Sequence, residues 1–175
     1  GDAYAALVRT IVYQQLAGAA AAAIHGRLLA LYGDGPAGRA PEPEELLATE
    51  DSDLRAAGLS GPKIGYLRDL ASHVSEGRLD FDGIDDLDAA DVVARLTAVK
   101  GIGEWSAHMF LMFQLGRPDI LPVGDLGVRK GMVAAYGLRK LPSPRRMHEI
   151  GRQWAPYRSV GSWYMWRAVE TVTPD

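Results

Sequence analysis

An all-α fold is predicted for this chain of 175 residues. Apolar residues recur at the spacing of amphipathic helices, and no segment shows the strict alternation of a half-buried strand. Glycine and proline separate the periodic segments and mark the loops between them. With 47% hydrophobic residues, the chain can bury a core as one compact domain or as two small lobes.

The N-terminal half is expected to form a series of helices. The apolar pattern runs from Tyr4 to Tyr32, and Gly18 is expected to divide it into two helices. A Gly/Pro-rich loop follows from Gly33 to Pro43. Further helices are expected at 44–49, at 51–57 with Asp51 or Ser52 as its N-cap, at 62–76 and at 90–96.

The C-terminal half is expected to continue this pattern after a tight turn at 100–103. One helix is predicted at 104–115, and the loop 116–124 separates it from a helix that starts near Asp125 and ends at Gly137. Pro142 to Pro144 reads as a linker. The last two helices are expected at 145–154 and from Pro156 to about residue 172.

Composition excludes several classes of site. The chain has no cysteine, which excludes disulfides, thiolate metal sites, iron–sulfur clusters and a cysteine nucleophile. Its four histidines lack metal-ligand spacing, and no apolar run approaches the roughly 20 residues of a membrane span. The first residues lack the basic start of a secretory leader. We therefore expect a cytoplasmic, metal-independent protein that does not bind membranes.

Charge is distributed unevenly along the chain. The net charge is −3, but residues 1–99 hold 8 basic and 16 acidic residues, whereas residues 100–175 hold 11 and 6. The second part is therefore basic, with a net charge of +5. A one-sided basic surface of this kind is compatible with nucleic-acid binding, although charges also segregate by chance.

The most informative segment, 96–109, reads LTAVKGIGEWSAHM. It predicts a helix, a turn in which two glycines flank Ile102, and a second helix. Ile102 is expected to plug into the helix pair and lock the turn. The free N–H groups of such a turn form a seat for a phosphate, and Lys100 adds a charge. Taken alone, the segment favours an ordinary connection between two helices.

Two further segments change this interpretation. Residues 121–131 read LPVGDLGVRKG, and residues 154–159 read WAPYRS, followed by Trp166. Together with IVYQQL at 11–16, they make the chain resemble the helix-hairpin-helix DNA glycosylases, and among these the AlkA-type 3-methyladenine glycosylases. The resemblance implies that family's fold, which has two small helical lobes with the active site in the cleft between them. It places the hairpin 96–109 in a lobe of about 40–135, and helices 3–32 and 144–172 in the second lobe of one domain, 1–175.

The chain also departs from parts of this superfamily. AlkA-type proteins can carry a mixed α/β domain at their N-terminus, which is not expected here, and the missing cysteines exclude the iron–sulfur relatives. Relatives that also cut the DNA backbone have a lysine two positions after the second hairpin glycine. Trp105 occupies that position here. The resemblance therefore implies a monofunctional glycosylase without AP lyase activity.

The resemblance assigns the catalytic carboxylate to Asp125, which would stabilise the oxocarbenium character of the sugar and orient a water molecule. Spacing alone favours Asp125 as a helix N-cap, and both roles can coexist. Trp105, Trp166 and Tyr13 fall at positions expected to line the base pocket, where a cationic purine would stack. Core packing is the alternative for these three side chains.

The resemblance also indicates how DNA is held. The side chain that fills the gap left by the flipped base is expected at Gln15 or Leu16, which would otherwise be a polar cap and a core leucine. Arg129 either binds phosphate or forms a helical ion pair with Asp125. We expect Arg158 to anchor the last helix and His108 to be structural. The expected DNA contacts are Val99, Lys100, Gly101, Ile102, Gly103, Ser106 and Arg129.

The resulting hypothesis is a monomeric glycosylase that removes alkylated purines, of the 3-methyladenine and 7-methylguanine type, from double-stranded DNA. A non-catalytic helix-hairpin-helix module that only binds DNA is the alternative, and an unrelated helical protein would require all three segments to match by coincidence. No cofactor is expected, although a monovalent cation could sit at the hairpin, 99–103. In a bacterium the protein would lie at the nucleoid.

Overall fold

The structure is a computed structural model that describes residues 2–33 and 38–172. The chain divides into two compact units, residues 1–103 and 104–175. Both units are helical, and no strand forms within the described residues, as the sequence predicts. None of the described helices combines the length and the apolar character that crossing a membrane requires. The lobe grouping expected from the sequence differs from these two units and stays a prediction.

The first unit contains six α-helices and a short 3₁₀ turn at Ile84–Asp86. Asp2 and Asp88 cap the first and last of these helices through their carboxylates, as acidic N-caps do. Buried leucines such as Leu7, Leu67 and Leu96 form its apolar interior. The helices are α1 (Ala3–Tyr13), α2 (Gly18–Leu29), α3 (Pro43–Ala48), α4 (Asp51–Ala56), α5 (Gly61–Ser75) and α6 (Ala89–Thr97).

The second unit is organised around the packing of two helices, α8 and α10. Its core is a cluster of buried side chains: Leu121, Val128, Met132, Met147, Ile150 and Met165. The elements are α7 (Glu104–Met109) continued by a π-helical turn (Phe110–Gln114), α8 (Leu126–Tyr136), α9 (Pro144–Gly151) continued by a 3₁₀ turn (Arg152–Trp154), and α10 (Arg158–Val172).

Two glycines allow α8 to approach α10 closely. A Cβ atom added to Gly131 would lie 2.1 Å from the carbonyl oxygen of Met165, and one added to Gly127 would lie 2.7 Å from Cδ1 of Trp166. Both distances are shorter than van der Waals contact, so larger residues would separate the helices. Since Gly127 and Gly131 are four residues apart, they share one face of α8.

The structure corrects several boundaries. Gly18 begins α2, and the break lies before it, in the turn 14–17. Neither Asp51 nor Ser52 caps α4, because both lie inside the helix and Glu50 occupies the N-cap position. The last helix starts at Arg158 rather than Pro156, since the Arg158 backbone N–H donates to Asp119. Residues 34–37 of the predicted loop lie outside the described residues.

Candidate active site

Asp125 stands at the start of α8 with its carboxylate turned inward. The residue has extended backbone angles, and its Oδ1 accepts a hydrogen bond of 2.7 Å from the Val128 backbone N–H, which is N-capping geometry. The side chain is buried, with the residue 8% exposed. The predicted cap is therefore confirmed, and a cap alone leaves Oδ2 of this carboxylate unused.

Two tryptophans supply the remaining contacts. The Trp105 indole Nε1–H donates to Oδ2 of Asp125 at 2.7 Å, and the Trp166 Nε1–H donates to Oδ1 at 2.8 Å. Trp105 comes from α7 and Trp166 from α10, so three helices of the second unit meet at one carboxylate. The sequence analysis assigned catalysis to Asp125 and the base pocket to the two tryptophans, and the structure brings all three side chains into contact.

The arrangement fixes both the position and the orientation of the carboxylate. Hydrogen bonds to a charged acceptor are shorter and stronger than neutral ones, and this acceptor receives three N–H groups. Because Asp125 is held by surrounding groups, it needs little reorganisation to face positive charge that develops nearby. Trp105 is 48% exposed, so part of its ring remains available for other contacts.

Phe113 is a member of this site that the sequence analysis missed. Its ring stacks on Trp166 with centroids 6.0 Å apart and planes inclined by 23°. Phe113 is 66% exposed, which is unusual for a large apolar side chain on a helix of a compact unit. The π-helical turn explains why helical spacing did not indicate Phe113. One extra residue in the turn changes the face of the helix on which the following side chains lie. Such a turn leaves no clear sequence signal.

The stacked pair also borders a cavity of about 360 Å³. Its walls are mainly apolar and aromatic, and they come from the π-helical turn, the loop that follows it and the first half of α10. The cavity lies beside the ring whose N–H holds the catalytic candidate. Its lining residues are Met112, Phe113, Gly116, Arg117, Pro118, Ser159, Val160, Trp163 and Trp166.

The predicted DNA-binding turn belongs to the first unit. Gly101 has φ of +84°, and a Cβ atom there would lie 2.4 Å from the Tyr66 ring, so this position requires glycine for two reasons. Gly103 has no positive φ, so the left-handed conformation that a glycine permits is used only at Gly101 of this pair, and a Cβ atom at Gly103 would meet open space. Val99 and Ile102 are buried, as expected of the plug, and Lys100 is exposed.

One face of α5 supports this turn, and the sequence analysis did not identify it. The Asp69 carboxylate accepts the backbone N–H of Lys100 at 2.8 Å, and the Tyr66 ring packs against Gly101. Lys63 donates from Nζ to the Val12 carbonyl oxygen at 2.6 Å. Lys63, Tyr66 and Asp69 follow one another at intervals of three residues, which places them along one side of the helix.

The candidate wedge residues lie in the turn after α1. Gln15 has φ of +56°, a conformation that non-glycine residues rarely adopt, and both Gln15 and Leu16 are exposed. Strained backbone of this kind is often found at functional positions. The neighbouring Gln14 donates from Nε2 to the Gly101 carbonyl oxygen at 2.6 Å, which joins this turn to the hairpin turn.

Tyr13 belongs to the first unit and is half-buried. The Arg9 guanidinium lies 4.2 Å from its ring centroid, and His25 packs edge-on at 5.9 Å. One face of the Tyr13 ring is therefore already covered by a cation. Its role as a wall of the base pocket stays a prediction.

Three other predicted residues have identified contacts or burial. Arg129 donates from Nε to the Pro142 carbonyl oxygen at 3.2 Å, while the Asp125 oxygens accept from the two indoles and Val128. Ser106 is buried in α7 at 7% exposure. Arg158 anchors α10, as expected, through two hydrogen bonds to the Asp119 carboxylate. That ion pair lowers the pKa of Asp119.

His108 is consistent with a structural residue. It is largely buried, and its Nε2 lies 3.8 Å from Oε1 of Glu104. Burial lowers the pKa of His108, and the Glu104 carboxylate opposes this shift. The neutral form is therefore favoured near pH 7.

Among residues 2–33 and 38–172, no three histidine, aspartate or glutamate side chains lie close enough together to hold a metal ion. A monovalent cation at the hairpin would need the carbonyl oxygens of that turn, and those of Val99 and Gly101 already accept hydrogen bonds from Ile102 and Gln14. A carbonyl oxygen has a second lone pair, so such binding stays a prediction.

Comparison with known families identifies this architecture. Residues 8–156 match the model of the HhH-GPD superfamily of base excision DNA repair proteins. The match includes the hairpin turn, Trp105 and Asp125. The chain belongs to the HhH-GPD superfamily.

Individual relatives agree with this assignment. The chain is 32% identical over 167 residues to DNA-3-methyladenine glycosylase 1 of Schizosaccharomyces pombe, covering 95% of this chain and 72% of the relative. A DNA-3-methyladenine glycosidase from Bacillus halodurans has a similar structure, with a TM-score of 0.88, 42% identity, and coverage of 98% of this chain and 77% of that one. The S. pombe 3-methyladenine DNA glycosylase Mag1, in complex with abasic DNA, gives a TM-score of 0.79, 32% identity, and coverage of 94% and 79%.

Proposed function

We propose that this protein hydrolyses the N-glycosidic bond of alkylated purines that have been flipped out of duplex DNA. The observation that carries the proposal is the buried Asp125 carboxylate held by the indole N–H groups of Trp105 and Trp166. The names of the relatives support the same substrate class.

The proposed reaction begins with extrusion of the damaged nucleotide, because the glycosidic bond cannot be reached inside the duplex. Alkylation at a ring nitrogen gives the purine a positive charge and makes it a good leaving group. Trp105 and Trp166 then offer aromatic faces that attract such a base by stacking and cation–π interaction.

Bond cleavage leaves oxocarbenium character on the sugar. The Asp125 carboxylate stabilises this charge and orients the water molecule that attacks the sugar carbon. No covalent link to the protein is needed, and Trp105 occupies the position at which lyase relatives have their lysine. The products are the free alkylpurine and an abasic site in an uncut strand.

The test is a single-turnover assay on methylated duplex DNA. Release of 3-methyladenine or 7-methylguanine is measured together with strand integrity before alkali treatment. Free methylpurine with an intact strand is the expected result. Duplex binding without any base release would instead favour a DNA-binding module, and strand cutting before alkali would contradict the monofunctional mechanism.

A further inference from the structure

A second concave site lies in the C-terminal unit, at the connection between α8 and α9. It is a cavity of about 610 Å³. Four of its lining residues are basic, and none is acidic. The basic lining residues are Arg129, Arg139, Lys140 and Arg146.

The sequence around this cavity also carries charged residues of one sign only. Residues 126–148 contain six lysines and arginines and no aspartate or glutamate. A run of like charge often belongs to a plain solvated surface. Here the charges surround a hollow with apolar walls, which concentrates their field at its centre.

The cations at the cavity are only partly neutralised. Within residues 2–33 and 38–172, Arg139 and Lys140 form no ion pair, and both are exposed. Arg129 uses its Nε on the Pro142 carbonyl oxygen, which leaves its terminal nitrogens for another acceptor. Arg146 shares its charge with Glu149 at 3.0 Å.

The first turn of α9 adds to this positive potential. The helix begins at Pro144, after Ser143 as its N-cap, and its N-terminus borders the cavity. Helix N-termini carry partial positive charge. An anion inside the cavity would therefore meet arginine and lysine side chains together with the positive end of a helix.

The position of Arg129 links the cavity to the candidate active site. Arg129 lies four residues after Asp125, which is about one helical turn or roughly 6 Å along α8. The distance between successive phosphates of a DNA strand is similar to this length. A phosphate next to the extruded nucleotide could therefore approach this cavity while the sugar faces Asp125.

We propose that this cavity binds a backbone phosphate of the DNA strand that carries the flipped nucleotide, with Arg139, Lys140 and Arg146 as ligands beyond Arg129. The inference rests on the proposed function, because it takes DNA as the partner. Guanidinium groups suit a phosphate since they can donate two parallel hydrogen bonds.

The experiment compares two double variants that remove the same charge. Arg139→Gln/Lys140→Gln removes two cations from the cavity, and Arg145→Gln/Arg152→Gln removes two from outside its lining. Binding to a short duplex with an abasic site is measured by fluorescence anisotropy between about 50 and about 200 mM KCl. Thermal unfolding of each variant checks that it is folded.

The plot of log affinity against log salt should become shallower by up to about 0.9 in the cavity variant, because the proposed site holds one phosphate and each lost phosphate contact removes about that much. The control variant should change this slope by less than half as much. Equal slopes for the two variants would overturn the proposal in favour of a net-charge effect. An unchanged slope for the cavity variant would also overturn it and favour another acidic partner.

Base release by the parent protein separates this inference from the proposed function. If the parent releases methylpurine but the cavity variant keeps the parent slope, only the phosphate site is wrong. If the salt dependence of binding becomes shallower in the cavity variant as predicted, but the parent releases no base, the phosphate site is supported and the proposed hydrolysis is wrong.

Discussion

At the scale of single residues, Asp125 combines two roles that the sequence analysis left open. One oxygen caps α8, and both oxygens accept indole N–H groups. The cap fixes the carboxylate relative to the helix, and the indoles fix its rotation. The structural role therefore supports the proposed chemical role rather than competing with it.

Trp105 provides a test of this positioning. Trp105→Phe retains an aromatic ring but removes the N–H that donates to Oδ2 of Asp125. A hydrogen bond to a charged group contributes about 1.5–3 kcal/mol, so the single-turnover rate of base release should fall roughly tenfold to a hundredfold.

The control for Trp105→Phe is Trp154→Phe, which removes an indole N–H that donates to the Tyr136 hydroxyl at 3.0 Å and not to Asp125. Its rate should stay close to that of the parent. A Trp105→Phe enzyme as fast as the parent would contradict a positioning role for this indole.

Residue roles are also where prediction from sequence was least complete. Asp125, Trp105 and Trp166 could be named as candidates because they match a family pattern, and their roles stay predictions. Phe113 and the α5 side chains Tyr66 and Asp69 could not, because their contacts join segments that are far apart in the sequence. Nothing in the local sequence around Asp69 indicates that it accepts a backbone N–H from Lys100.

At the scale of elements, the close approach of α8 and α10 brings Trp166 to Asp125. The approach depends on small residues on the facing side of α8, at Gly127 and Gly131. Any side chain at these positions would meet α10 directly. Packing against α10 thereby explains why positions 127 and 131 are glycine.

Gly131→Ala tests this explanation. The added methyl group would overlap the Met165 carbonyl oxygen, and this oxygen is backbone that cannot rotate away. Overpacking should therefore lower the free energy of unfolding by about 1–3 kcal/mol, measured by urea denaturation.

Gly26→Ala is the matched control, because Gly26 is also helical and a Cβ atom there would have no neighbour within 4 Å. That variant should be as stable as the parent or more stable by up to about 1 kcal/mol. A similar loss of stability in both variants would argue against close packing at Gly131.

Helix positions were largely predictable, and their ends were not. Apolar periodicity, prolines and glycines located the principal helices, whereas the start of α10 depends on a hydrogen bond from Arg158 N–H to Asp119. That bond joins residues 39 positions apart. The π-helical turn at Phe110–Gln114 is likewise too short to produce a recognisable spacing of apolar residues in the sequence.

At the scale of the whole molecule, the predicted all-helical class and the predicted superfamily are confirmed. Both predictions rest on sequence patterns that extend over most of the chain, so an error in the bounds of one helix does not affect them. The expected monomer, the lesion range and the cytoplasmic location stay predictions, because neither the fold nor the relatives determine them.

The stability of the molecule should depend on pH through Asp119. The Arg158 guanidinium holds the pKa of this carboxyl below its usual value, and the pair joins the loop 116–124 to α10. The stabilising contribution is then fully present above the unfolded pKa of about 3.9 and is lost as pH falls through the lower folded value.

Asp119→Asn should therefore reduce the free energy of unfolding by about 1 kcal/mol at pH 7. The difference between parent and variant should shrink once the pH falls below about 4. Urea denaturation at a series of pH values measures this difference. A difference that is constant down to pH 3 would show that the charge of Asp119 is not responsible.

The most direct test of the account is single-turnover base release by Asp125→Asn. Asparagine can still cap α8 through its side-chain oxygen, so the variant should fold and bind an abasic duplex as the parent does. Without the negative charge, the rate of methylpurine release should fall by at least a hundredfold. An Asp125→Asn enzyme that releases methylpurine at the parent rate would contradict the assignment and leave Asp125 as a helix cap alone.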